Sequence, residues 1–105
     1  MLKALFGNNV IEKILFYILV YEQAYAKKLS SVYKIPVNGI QQQLKRLESG
    51  GILMSSDFGR VRIYKFNPRY PFVKELKSLL NKAMGFLPEN EVEKYYRERT
   101  RPVYR

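Results

Sequence analysis

Asn38, Gln41, Gln42, Lys45 and Arg46 fall within one stretch that also carries Val37, Ile40, Leu44 and Leu47. The four apolar residues recur at helical spacing and make one narrow stripe, so the amides and cations lie off that stripe. These side chains suit the edges of nucleic-acid bases. Gln pairs twice with adenine, Arg or Lys binds guanine, and all of them reach phosphates. The first turn of such a helix also presents free N–H groups to a phosphate. The competing interpretation is a solvated face on an ordinary core helix. Two further cations, Arg60 and Arg62, sit in a segment of alternating character, Arg60-Val61-Arg62-Ile63-Tyr64-Lys65-Phe66. They point to the same chemistry from a second element.

The segments around these residues define the positioning elements. A helix from Ala24 to about Tyr33 is expected, with Ala26, Leu29, Val32 and Tyr33 inward and Lys27, Lys28 and Ser30 outward. Lys34-Ile35-Pro36-Val37 then forms a tight turn. A connection that short forces two helices to cross sharply, although a generic helical hairpin has the same spacing. Glu48-Ser49-Gly50-Gly51 ends the second helix, because glycine tolerates the left-handed conformation. Ile52-Leu53-Met54-Ser55 reads as a strand and Asp57-Phe58-Gly59 as turn chemistry. The returning strand puts Arg60, Arg62, Tyr64 and Phe66 on one face. Tyr64 and Phe66 are expected to enter the core, leaving Arg60 and Arg62 near the hairpin tip, within reach of a DNA backbone or minor groove. A merely solubilising turn is the alternative.

Residues 25–66 resemble the winged helix-turn-helix of bacterial and archaeal transcription regulators of the broad ArsR/MarR type. Ile40-Gln41-Gln42-Gln43-Leu44-Lys45-Arg46-Leu47-Glu48-Ser49-Gly50-Gly51-Ile52-Leu53 is similar to that family's recognition helix running into its first wing strand. Gly59-Arg60-Val61-Arg62-Ile63-Tyr64-Lys65-Phe66-Asn67-Pro68 resembles its wing. The resemblance implies an α+β, mainly α fold: a three-helix core, a two-stranded wing and a long C-terminal helix. It also implies that Asn38, Gln41, Gln42 and Lys45 face the major groove while Arg60 and Arg62 serve the wing. The chain has no cysteine and no histidine, so the soft-metal sites of that family's metal-sensing members have no ligands here. Asn67-Pro68-Arg69-Tyr70-Pro71-Phe72 is similar to small winged-helix proteins associated with nucleotidyltransferase domains, which adds such a protein as a second candidate partner.

Composition fits this picture. With 19 Lys+Arg against 9 Asp+Glu, the formal charge is +10 and the pI about 9.9. Such an excess implies a polyanionic partner, a nucleic acid or an anionic membrane surface. The longest apolar run, residues 14–21, is too short to span a bilayer. The first residues lack the hydrophobic region of a signal peptide, so a cytoplasmic location is expected. Lacking His and Cys, the chain has neither the commonest general base nor the best nucleophile. Asp57 is the sole aspartate, and the six glycines make no phosphate loop. No enzymatic activity, cofactor or metal is expected.

Two flanking helices complete the expected domain, residues 1–88. The first, residues 10–21, starts after a cap at Asn8 or Asn9 and is apolar all round. The second, residues 71–87, takes Pro71 as its first helical residue and repeats apolar residues from Phe72 to Leu87. Together they suggest a two-fold dimer interface through Ile14, Phe16, Tyr17, Leu76, Leu80 and Met84, with packing inside one chain as the alternative. Residues 89–105 read as a basic tail. Within it Val92, Tyr95 and Tyr96 suit a short helix, and residues 100–105 suit either an arm that touches DNA or a frayed end. The combined expectation is a sequence-specific duplex-DNA binder, a homodimeric regulator and a repressor rather than an activator. The rivals are a protein–protein adaptor that docks a nucleotidyltransferase-like partner and an RNA-binding module.

Overall fold

The computed structural model describes residues 1–96. Its elements run α1 (Lys3–Phe6), α2 (Asn9–Tyr21), α3 (Ala26–Tyr33), α4 (Val37–Ser49), β1 (Leu53–Phe58), β2 (Val61–Phe66), α5 (Val73–Met84) and α6 (Glu89–Tyr95). The class is α+β, mainly helical, with the two strands paired antiparallel as a hairpin. No helix among the described residues is long and apolar enough to cross a membrane.

Local chemistry sets most boundaries. Asn8 caps α2, its side-chain oxygen accepting the Ile11 N–H at 2.8 Å. The α3–α4 turn closes at Lys34, which takes a left-handed conformation with φ 59°. There the Ser30 hydroxyl donates to the Ile35 carbonyl at 2.6 Å. Helix α3 starts at Ala26 rather than Ala24 because Ala24 is engaged elsewhere: its N–H and C=O bond Tyr64 at 3.0 and 2.8 Å, tying the α2–α3 link to the hairpin. The first strand is longer than its apolar run suggests. Asp57 and Phe58 pair with Arg62 and Val61, so the turn is Gly59-Arg60, and Gly59 supplies the positive φ of a two-residue loop. Pro71 does not open α5. It lies in a turn organised by Asn67, whose amide donates to the Gly51 carbonyl and whose oxygen accepts the Arg69 N–H.

Helix α2 is the central element of the core. Ile14, Leu15, Phe16, Tyr17 and Ile18 are all buried, because α3 and α4 cover one side of α2 and α5 another, with Tyr96 against Phe16. This corrects the expected subunit interface. Ile14, Phe16, Tyr17, Leu80 and Met84 are buried within their own chain, and Leu76 is half-buried. An all-apolar helix needs cover on every side, and here one chain supplies it. The short helix expected through Val92, Tyr95 and Tyr96 is present. Residues 89–95 form α6, and Tyr96 is 2% exposed, its ring 6.0 Å from that of Phe16. The Tyr96 hydroxyl shares a 2.8 Å hydrogen bond with that of Tyr33, which in turn donates to the Lys13 carbonyl. The expected arm at residues 100–105 lies outside the described residues.

Candidate nucleic-acid interface

Helix α4 rests on Ile40, Leu44 and Leu47, all buried. With 3.6 residues per turn, the opposite face then carries Asn38, Gln42, Lys45 and Ser49, and all four are exposed. These residues follow one another at intervals of four, three and four. They form a continuous polar ridge along the helix, with an amide, an amide and a cation leading. Gln41 lies on the flank toward the hairpin.

That flank is one wall of an open groove of about 710 Å³ between the start of α3, α4 and the wing. Lys27, Lys45, Arg60 and Arg62 line it together with Gln41, and among the described residues no carboxylate does. Tyr25, Val37 and Tyr64 contribute to its surface. The fold therefore gathers five of the nine residues expected at a DNA site into one concave surface, and Asn38 and Gln42 continue it over the top of α4. The remaining two are placed differently. Arg46 lines a separate groove on the far flank of α4, with Leu5, Phe6 and Tyr70. Lys28 is exposed on α3 and lines neither groove.

The two wing arginines have unequal surroundings. Arg62 bonds Asp57 at 3.0 Å across the hairpin and reaches Glu48 of α4 at 3.5 Å. Glu48 also accepts the Ser55 hydroxyl at 2.5 Å. One carboxylate near the end of α4 thus engages a residue of each strand and braces the wing against the helix. Arg60 makes no ion pair among the described residues, and neither do Lys27 and Lys45. The brace was not legible in the sequence, because Asp57 and Arg62 become partners only through the hairpin register. Tyr25 was missed for a similar reason: its exposure in the groove follows from its position just before α3, where the chain is extended rather than helical.

Neither a protein-family model nor a curated protein matches the sequence. Among solved structures, a doubly substituted variant of Lactococcus lactis ZitR in its apo form is similar, with a TM-score of 0.55. The match covers 86% of this chain and 78% of that chain at 18% sequence identity. The fold is a winged helix-turn-helix. In its terms α3 and α4 are the helix-turn-helix pair, and β1 and β2 are the wing.

Proposed function

We propose that this protein binds double-stranded DNA in a sequence-specific manner and acts as a cytoplasmic, homodimeric transcriptional regulator, repressing by occupying its site. The observation that carries this reading is the amide-and-cation ridge of α4 beside a groove lined, among the described residues, by four cations and no carboxylate. In a helix-turn-helix the second helix enters the major groove, where Asn and Gln read adenine and Lys reads guanine. A protein-docking face would carry few charges at its centre, whereas four cations line this groove. Nothing among the described residues favours a nucleotidyltransferase-like partner.

The dimer has a candidate surface that differs from the buried residues considered first. Phe72, Leu79 and Phe86 recur every seven residues along α5 and its two ends, and they are 61%, 36% and 71% exposed. Glu75 and Lys82 border this stripe. In an antiparallel pairing of two copies about Leu79, the aromatic ends meet each other and Glu75 of one copy lies near Lys82 of the other. The test is selection of duplexes from a random pool by the pure protein, with sedimentation of the protein alone. An enriched site with two-fold symmetry and a mass near twice 12.4 kDa are expected. Failure to enrich or bind any duplex overturns the DNA reading. A folded monomer overturns the dimer.

A further inference from the structure

Phe58 is the most exposed large apolar side chain among the described residues, at 78%, and it stands at the tip of the wing. We propose that Phe58 is a wedge that enters the minor groove of duplex DNA, unstacks a base step and bends the duplex. The inference rests on the duplex-binding reading above and adds a contact and a DNA deformation to it.

Three observations favour this occupant. The first is the tip's charge. Phe58 and Arg60 flank Gly59 in the hairpin turn, and Arg60 has no ion pair among the described residues, whereas the carboxylates of Asp57 and Glu48 are engaged with Arg62. An apolar ring and an unpaired cation at one hairpin tip match a minor groove, whose phosphates and narrow floor attract arginine while its base steps accept apolar wedges. The second is reach. The six-residue strands project the tip roughly 20 Å from the hairpin base, at about 3.3 Å per residue. With α4 in the major groove, that length suits the neighbouring minor groove. The third is stiffness. The Glu48 bonds to Ser55 and Arg62 hold both strands to α4, so the ring is presented at a set distance from the base-reading ridge. A wedge needs such support, because it must push against the stack. Pyrimidine–purine steps unstack most easily, so the preferred duplex carries a TA or CA step under the wing.

The experiment uses the full chain and a duplex carrying its selected site. End-to-end energy transfer reads bending, and permanganate reads unstacked thymines. Wild type is expected to bend the duplex by about 20° or more and to make a thymine under the wing reactive. Phe58→Ala should bind about tenfold more weakly, leave the duplex straight and abolish the reactivity, whereas Phe58→Leu, still an apolar wedge, should keep most of both. Circular dichroism should be unchanged in both variants, since the ring is exposed. A straight wild-type complex, or a Phe58→Ala variant that binds and bends like wild type, overturns the wedge and leaves the DNA reading standing. A Phe58→Ala variant that changes only the sedimentation mass also overturns it, assigning the ring to a protein contact. Absence of binding to any duplex overturns both readings.

Discussion

Behind α4, tyrosines from α2, α3 and the end of α6 pack together, and their polar atoms are used inside the chain. Tyr33 and Tyr96 share a hydrogen bond, Tyr21 donates to the Tyr95 carbonyl, and Lys13 and Lys94 lie over the rings of Tyr33 and Tyr95. In front of α4 the pattern is reversed. Lys27, Lys45 and Arg60 make no ion pair among the described residues, and Asn38 and Gln42 are exposed. The two regions have similarly polar side chains in different states of commitment. A polar group already bonded within the chain maintains the fold. One left facing water along a concave, basic surface is available to a ligand, because its exchange of water for that ligand breaks nothing in the protein.

The largest effect is expected behind α4. Tyr96→Ala removes a buried ring and should destabilise the fold by about 3–5 kcal/mol in urea unfolding. The DNA affinity of the molecules that remain folded should not change. A loss of affinity without loss of stability would show that the two regions are not separate in role. The same region should respond to alkali. Burial, foremost, pushes the Tyr33 hydroxyl well above the ordinary tyrosine range, and burial does the same for Tyr96. A folded-state pKa above the unfolded value of about 10 means that this contribution to stability is complete below about pH 10 and is lost as pH rises. Absorbance and circular dichroism against pH should therefore show a late tyrosinate step that coincides with unfolding. Ionisation of both residues in a chain that keeps its helicity would contradict their burial.

Much of this architecture was legible from local pattern. The α4 stripe, its polar ridge and the strand alternation around Tyr64 depend on residues near one another in sequence, where period alone decides which side is inward. What was not legible depends on distant partners. The pattern of α2 says that all its sides are covered, and it does not say by which chain, so Ile14, Phe16 and Tyr17 were assigned to a second subunit. Val92, Tyr95 and Tyr96 have the spacing of a short helix, but that spacing does not say that Tyr96 enters the core. Only the placement of Phe16 and Tyr33 creates the site that Tyr96 fills. The separate roles of Arg60 and Arg62 were hidden likewise, because a register assigns Asp57 to one arginine and not to the other.

Substitutions in front of α4 should have smaller effects. Gln42→Ala should relax preference at one base position by about 1–3 kcal/mol while sparing random DNA, measured by competition between site variants. Equal weakening on specific and random duplexes would move Gln42 from base to backbone. Arg60→Ala should reduce the salt slope by about one and weaken all duplexes alike. Arg62→Ala should change the slope less and loosen the wing, because its charge is already met by Asp57 and Glu48. Identical slopes in the two variants would remove the distinction between a committed and an available arginine.

Duplex DNA should lie across the cationic groove and the α4 ridge. Fluorescence anisotropy of a labelled duplex, titrated with the protein at several salt concentrations, tests it directly. If about six phosphates are neutralised, log K should fall with log salt at a slope of about −5. No binding at low salt, or binding whose affinity is independent of salt, would rule out a phosphate-contacting surface here.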